Sequence, residues 1–487
     1  MKKIIILVAA IFIASCTDNL EGLNQNIKDP ATVPGESLFS GAQKSLVDQI
    51  VDLNVNNNNT KLWSQFLQQT TYTDESNYDQ VTRTIPQNHW DVMYKDVLKD
   101  LNEAETVISE TTYTTDELNA LKPNKLAIIE ILKVYTYANL VETFGDIPYT
   151  EALDIENLLP KYDDGLTVYK DLITRLNTAI NTLDTSLGSF MAKNGKADNM
   201  YEGNVTSWKK FAASLMLRMG ILISDADNVL AKKTVEDAVA IGVFTSNSDN
   251  AVQKYYSSDP NTNPIHDNLV LSGRSDFVAG KTIIDMMDML GDYRLPYYFQ
   301  EVPDGGYVGG EIGSTSSFSS HSHVSTVVEA ATTPGVIMDY AEVEFLLAEA
   351  AARNYTVGGT AKTHYDAAIM ASFEFWGASS SDAAMYIAQP NVDYDTVLAA
   401  STATMPWKEV IGNQKWLALY NRGFEAWTSI RLLDFPVLAT PTEAVTGFPN
   451  RYTYPIVEQT LNGANYKDAS AAIGSDTPEQ KLFWDMY

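Results

Sequence analysis

Residues 124–144 read NKLAIIEILKVYTYANLVETF, and this stretch decides the fold class of the chain. Apolar side chains recur along it every three to four positions, which is the spacing of an α-helix. They occupy two adjacent faces, so we expect a helix that is buried on most of its circumference. Gly145 follows as a C-terminal cap, and Pro148 prevents the helix from continuing.

The same spacing predicts helices on both sides of this stretch, whereas strand signals are few. Adjacent helices are joined by short turns such as Gly358-Gly359, in the manner of loose tetratricopeptide-type hairpins, although no strict 34-residue repeat is present. Gly423 is expected to allow two backbones to approach closely. The sequence therefore predicts a mainly all-α scaffold of helical hairpins. Its other helices are expected at residues 37–55, 60–69, 90–109, 168–183, 206–223, 228–241, 339–353, 362–376 and 406–433, followed by a C-terminal tail that wraps the surface.

Two stretches interrupt the helical pattern. Residues 245–333 are rich in Ser, Gly, Asn, Asp and Pro, contain one helical island at 281–290, and carry aromatic residues without a helical period. Residues 70–87 form a second polar stretch, and loops of this length inside a domain are usually functional. We therefore expect a large irregular region, 245–333, inserted between parts of a helical scaffold.

The amino terminus carries the pattern of a secretory signal. Lys2 and Lys3 precede a short apolar run that ends in Ile13-Ala14-Ser15-Cys16, which has the form of a bacterial lipobox. The run is shorter than the ~20 residues of a membrane span. Cys16 is the only cysteine of the chain. We predict a signal peptide at 1–15, acylation of Cys16, a polar tether at 16–34 and a single domain at 35–487. An ordinary signal peptide with an incidental cysteine is the alternative.

The composition indicates an acidic globular protein. Hydrophobic residues make up 45% of the chain, and its formal net charge is −28 at pH 7. Such a balance argues against binding to nucleic acid and against electrostatic docking on anionic lipid. Attachment to a membrane would then depend on the acyl chains at Cys16.

No catalytic or metal-binding motif emerges from the sequence. His321-Ser322-His323 has near-metal spacing but no third ligand in register, and Gly305-Gly306 neither follows a strand nor opens a helix. We therefore predict no cofactor and no metal. With 62 Asp and Glu residues, the carboxylate pair of a glycoside hydrolase stays open as an alternative.

Several blocks of the sequence, in this order, resemble the SusD/RagB-type outer-membrane lipoproteins of Bacteroidetes. They are LNQNIKDP (23–30) behind the lipobox, FGDIPYTEAL (144–153), YAEVEFLLAEAAARN (340–354), QKWLALYNRGFEAWTSIRLLDFPVL (414–438), RYTYPIVEQTLNGANY (451–466) and LFWD (482–485).

This resemblance implies a single helical domain of four degenerate tetratricopeptide units with its loops on one face. It also implies a non-catalytic lipoprotein at the cell surface, anchored in the outer membrane. Such a protein captures an oligosaccharide and acts as a lid over a SusC-type TonB-dependent transporter. Peptide capture, a surface glycoside hydrolase and a pure scaffold for the transporter are the alternatives.

The ligand site is expected in the two irregular stretches. Sugars bind by stacking on flat aromatic rings beside planar amides and Arg, so exposed aromatics in loops are the natural candidates. Trp63 and Trp90 occur at helical spacing and are expected in the core. The predicted ligand residues are Tyr72, Asn77, Tyr78 and Arg83 in the first stretch and Tyr307 and Phe318 in the second.

Overall fold

The computed structural model describes residues 33–192 and 195–487, so the predicted signal peptide, Cys16 and nearly all of the predicted tether lie outside the described residues. The N-terminal half is built from helices. A π-helical segment, Val92–Leu98, joins the helices Ile85–Asp91 and Lys99–Glu110 into one continuous helix. The helices are α1 (Gly35–Val51), α2 (Thr60–Trp63), α3 (Ile85–Asp91), α4 (Lys99–Glu110), α5 (Asp116–Ala120), α6 (Lys122–Phe144), α7 (Gly165–Thr182), α8 (Val205–Leu222) and α9 (Asn228–Ile241).

The C-terminal half begins with the irregular region and returns to helices. Short π and 3₁₀ segments occur at Asp267–Leu271, Asn247–Asp249 and Phe318–Ser320. The helices are α10 (Pro264–His266), α11 (Lys281–Leu290), α12 (Leu295–Tyr298), α13 (Tyr340–Ala352), α14 (Ala361–Trp376), α15 (Ser380–Ile387), α16 (Tyr394–Ala400), α17 (Pro406–Ala418), α18 (Gly423–Leu433), α19 (Ile456–Leu461) and α20 (Gly463–Ala472).

Within residues 33–192 and 195–487, the strands form three small antiparallel sheets of two strands each. Their pairs are β1 (Leu67–Gln69) with β5 (Phe277–Ala279), β2 (Met191–Ala192) with β3 (Gly195–Lys196), and β4 (Ala251–Gln253) with β6 (Gly335–Met338). The predicted all-α class with an irregular central region is therefore confirmed.

The helix α6 is the centre of the scaffold, as its sequence predicts. Its 23 residues give it a length of about 34 Å. Pro123 lies in the first turn, where a backbone N–H would have no acceptor within the helix. Gly145 caps the C-terminal end with a φ of +92°. Nearly every side chain from Asn124 to Phe144 is buried between α4, α7 and α8. No helix of the described residues is both long and apolar enough to cross a membrane.

One sequence prediction on secondary structure is wrong. The helix expected over 60–69 ends at Trp63, and Leu67–Gln69 is a strand whose partner lies about 210 residues later in the chain. A left-handed backbone at Gln65, with φ of +56°, separates the two elements. The C-terminal tail, expected to wrap the surface, contains two short helices that the sequence analysis does not predict, α19 and α20.

Gly423 brings α18 against α2. A Cβ atom at this position would lie 2.3 Å from Thr60 Oγ1 and 2.7 Å from the Lys61 backbone nitrogen. The prediction that Gly423 allows close backbone approach is confirmed. The contact holds α2 and the strand that follows it, β1, at a fixed position on the scaffold.

Candidate ligand-binding site

A surface cleft of about 230 Å³ opens where three segments of the chain meet. The loop after α1 forms one wall, the residues around the end of β1 form the second, and the central irregular region forms the third. The lining residues are Leu53, Asn54, Val55, Asn56, Gln69, Thr70, Thr71, Tyr72, Arg83, Asn268, Arg274, Asp276 and Phe277.

The β1–β5 pairing builds this cleft. It aligns Gln69 with Phe277 and so joins the early polar loop to the central region. The pairing continues past the strands, because the Thr70 backbone N–H donates to the Asp276 carbonyl at 2.8 Å. On the other side, the Ser316 N–H donates to the Thr70 carbonyl at 3.0 Å. The two stretches in which the sequence predicts ligand residues therefore meet in space.

An exposed aromatic ring and two arginines dominate the chemistry of the cleft. The Tyr72 side chain is 65% exposed. Arg274 forms an ion pair with Asp276, and both side chains reach solvent. Arg83 pairs with the buried carboxylate of Glu75. Burial raises the pKa of the Glu75 carboxyl, while hydrogen bonding and the charge of Arg83 act in the opposite direction.

Side-chain amides complete the lining. Asn56 donates through Nδ2 to Asn54 Oδ1 at 2.8 Å, and both lie at the solvent-exposed rim. Asn268 donates to Asp52 Oδ1 at 2.9 Å, which fixes the orientation of its amide plane. The cleft thus offers one stacking ring and several hydrogen-bond donors and acceptors, and its two arginines are each balanced by a carboxylate. This chemistry suits a neutral hydroxylated ligand.

Only part of the predicted site lies in this cleft. Tyr72 and Arg83 line it. Asn77 is buried and donates to the Gly313 carbonyl at 2.8 Å, so it ties the central region to the early loop. Tyr78 is only 1% exposed and meets Phe448 edge-on at 5.9 Å. Tyr78 is therefore buried outside the cleft, and burial raises the pKa of its hydroxyl to about 12.

The two predicted aromatics of the central region lie outside the cleft. Tyr307 packs partly buried against the core cluster around α11 and α14. Phe318 stacks on His323 with ring centroids 4.1 Å apart and nearly parallel planes. Trp63 and Trp90 are buried, as predicted.

Several lining residues were missed by the sequence-based prediction. The loop 53–56 begins an asparagine-rich stretch, and Arg274-Ser275-Asp276 combines both charges with a small residue in the irregular region. An amide-rich turn and a paired Arg–Asp are the signals that could have identified them. Within residues 33–192 and 195–487, no group of three or more His, Cys, Asp and Glu side chains could hold a metal ion.

Comparison with known families identifies the chain. A SusD-like family model, described as "Starch-binding associating with outer membrane", matches residues 26–455. This chain belongs to the SusD-like family. The match confirms the resemblance seen in the sequence blocks. It also places this SusD-like chain among binding proteins associated with the outer membrane.

Solved SusD homologues share the fold. A SusD homologue from Bacteroides uniformis is 25% identical, covers 92% of this chain and 99% of its own, and superposes with a TM-score of 0.78. A chitin-binding SusD homologue from Flavobacterium johnsoniae is 25% identical over 92% of this chain and 98% of its own, with a TM-score of 0.76. A Bacteroidetes SusD-like protein is 22% identical over 93% of this chain and 100% of its own, with a TM-score of 0.79. At this identity the match supports the fold alone. Among curated proteins, none matches the sequence significantly.

Proposed function

We propose that this SusD-like protein captures an oligosaccharide in the cleft around Tyr72 and delivers it to a SusC-type TonB-dependent transporter, without catalysis of its own. One observation carries the proposal. A ring exposed as fully as Tyr72 stands in a cleft whose other walls present Asn amides and a charge-balanced Arg274–Asp276 pair.

The chemistry of the cleft fits a sugar. The C–H groups of a sugar ring can stack on the face of Tyr72, and its hydroxyl groups can accept from Arg274 and donate to Asp276. An amide-rich rim adds partners of both kinds. The chitin-binding description of the Flavobacterium johnsoniae homologue supports chito-oligosaccharides as the first ligands to test. The starch-binding description of the family supports malto-oligosaccharides as the second.

We expect Tyr72→Ala to weaken binding of the captured oligosaccharide by about 1–3 kcal/mol, on the scale measured for bases stacked on aromatic side chains. Tyr72→Phe keeps the stacking face and should bind nearly as well as the wild type. Isothermal titration calorimetry with both series of oligosaccharides is the measurement.

Tyr256→Ala is the matched control, because Tyr256 is exposed to a similar degree, 63%, but does not line the cleft. Equal binding by Tyr72→Ala and wild type, with a ligand that the wild type binds, would place the site elsewhere. Titration of short peptides in the same experiment tests peptide capture, and product analysis tests the hydrolase alternative.

The proposed anchor at Cys16 gives a second expectation. Cys16→Ala removes the thiol that would carry the acyl chains, so the variant should be released from the membrane or retained as uncleaved precursor. Fractionation of cells that express the full chain, with immunodetection, checks this. A Cys16→Ala protein that is processed normally and still fractionates with the outer membrane contradicts the assignment.

A further inference from the structure

A second pocket, of about 130 Å³, lies beside the ligand cleft and is here named the Arg422 pocket. It is lined by the end of α1, the end of α14, the segment that leads into α13 and the turn between α17 and α18. Val51 lines this pocket and Leu53 lines the cleft, so a single residue separates the two linings along the chain. The volume exceeds the ~30 Å³ that one water molecule occupies in the liquid, so the pocket can accept a group of several heavy atoms.

The Arg422 side chain carries hydrogen-bond donors that the protein leaves unused. It is only 6% exposed. Its Nη2 atom donates to the Ile337 carbonyl at 2.9 Å and to Glu342 Oε2 at 2.6 Å. Its Nε and Nη1 atoms are buried and have no hydrogen-bond acceptor within residues 33–192 and 195–487. A buried donor without an acceptor is unfavourable, so a ligand that brings an acceptor to Arg422 gains more than it would at a solvated side chain.

The charge of Arg422 is already balanced. Asp339 also lines the pocket, and its Oδ2 atom lies 3.2 Å from Arg422 Nη1 without the geometry of a hydrogen bond. Glu342 pairs with Nη2 at 2.6 Å. An anionic ligand would meet the Asp339 carboxylate, and a cationic ligand would meet the guanidinium. The pocket therefore favours a neutral group that has a hydrogen-bond acceptor.

Aromatic rings and an amide complete the lining. Phe375 and Trp376 at the end of α14 are half-buried, and the buried Tyr420 ring packs against Trp376 with ring centroids 5.7 Å apart. The Trp376 indole N–H and the Asn421 side-chain amide have no hydrogen-bond partner among the described residues. Apolar contact and unused polar groups are therefore both present in this pocket.

These features fit an acetamido group. Its carbonyl oxygen can accept from Arg422, and its N–H can donate to Asp339 or to the Asn421 oxygen. Its methyl group can pack on the rings of Trp376 and Tyr420. A hydroxyl group supplies the acceptor but has no apolar part, so it matches the same lining less well.

We propose that the Arg422 pocket binds the acetamido group of an N-acetylated sugar. The inference rests on the proposed function, which makes the ligand a sugar. It adds a second binding site and a preference among sugars. The cleft at Tyr72 then supplies general affinity for sugars, and the Arg422 pocket selects those that are N-acetylated.

The test compares two tetrasaccharides that differ at one position of each ring. The β-1,4-linked tetramer of N-acetylglucosamine carries acetamido groups where the β-1,4-linked tetramer of glucose carries hydroxyl groups. We expect isothermal titration calorimetry to show about tenfold or more tighter binding of the acetylated tetramer by the wild type, because the other tetramer leaves the donors of Arg422 unpaired. Binding that is no tighter would overturn the inference and leave the proposed function intact. A wild-type protein that binds no oligosaccharide at all would overturn both.

Two variants assign this preference to the pocket. Val327→Trp places a large ring in the lining from a side chain that is 51% exposed. Asn421→Gly removes the unused amide at a position where a φ of +67° already suits glycine. Each should lower the affinity for the acetylated tetramer about tenfold, towards that for the glucose tetramer, and leave the glucose tetramer and the thermal midpoint unchanged. Tyr72→Ala should instead weaken the binding of both tetramers. Arg422 itself is kept, because its removal would leave buried carboxylates without a counter-charge.

Matched controls exist for both variants. Val445→Trp alters a valine that is 64% exposed, and Asn354→Gly alters an asparagine with a φ of +63°. Neither residue lines the pocket, so both controls should keep the wild-type preference. A preference that survives in both Val327→Trp and Asn421→Gly would overturn the inference. Competition by a short acetylated peptide as strong as that by the acetylated tetramer would assign the pocket to peptide amides and would also overturn it.

Discussion

Arg294→Met is expected to destabilise the fold by about 3–5 kcal/mol, the cost of leaving one member of a buried ion pair alone. Arg294 is fully buried and donates from Nη2 to Asp292 Oδ2 at 2.6 Å and from Nη1 to Ser372 Oγ at 2.8 Å. Its guanidinium lies 4.8 Å from the centre of the Phe373 ring. Without Arg294, the Asp292 carboxylate stays buried with no counter-charge.

The same residues place the irregular region on the scaffold. Asp292 and Arg294 lie between α11 and α12, whereas Ser372 and Phe373 belong to α14. Loss of the arginine should therefore loosen the central region where it contacts α14.

Urea denaturation followed by circular dichroism measures the effect. The double variant Asp292→Asn/Arg294→Met also removes the carboxylate that Arg294→Met leaves without a counter-charge. It should therefore be more stable than Arg294→Met. Arg274→Met is the control, because its pair with Asp276 has the same two-residue spacing but lies in solvent, and little change is expected. A double variant no more stable than Arg294→Met would contradict the explanation.

Glu142→Gln is expected to stabilise the protein at pH 8 and to have little effect near pH 4.5. Burial raises the pKa of the Glu142 carboxyl to about 7, although Arg218 and a hydrogen bond from the Tyr169 hydroxyl at 2.8 Å favour its charged form. The side chain lines a small cavity of about 40 Å³, together with residues of α8 and α18.

The direction of this pH dependence follows from the protonation state of Glu142 in the folded and in the unfolded chain. Below pH 4.5 the carboxyl is protonated in both the folded and the unfolded chain, so its titration contributes no penalty. Between pH 4.5 and 7 only the unfolded chain ionises, and stability falls as the pH rises. Above pH 7 the loss of folding free energy is constant at about 3 kcal/mol, because each unit of difference between the folded and unfolded pKa of Glu142 costs about 1.36 kcal/mol.

The neutral amide that replaces the Glu142 carboxyl keeps an acceptor for the Tyr169 hydroxyl and cannot ionise. The difference in unfolding free energy between Glu142→Gln and wild type should therefore grow from near zero at pH 4.5 to about 3 kcal/mol at pH 8. Thermal or urea unfolding of both proteins across this range checks it. A difference that stays constant with pH would show that Glu142 does not titrate as the buried geometry requires.

Local patterns were sufficient to locate most of the long helices, whereas the short helices α15, α16, α19 and α20 were not predicted. The sequence predicts 228–241 and 281–290 with the bounds that α9 and α11 have in the structure, and α6 differs from its prediction by two residues at one end. A helix satisfies its own backbone hydrogen bonds within four residues, so the spacing of apolar side chains and the caps carry most of the information. The blocks that identify the SusD-like family are likewise readable without a structure.

The site depended on contacts that no local pattern contains. Leu67–Gln69 is a strand only because Phe277–Ala279 lies beside it, and that pairing also joins the two halves of the cleft. Tyr72 and Tyr78 are six residues apart in one polar loop, yet one is 65% exposed and the other 1%. The sequence by itself determined the helical scaffold, the family and two of the three stretches that form the cleft. Only the tertiary structure decided which of their side chains face solvent, because exposure depends on packing against residues far away in the chain.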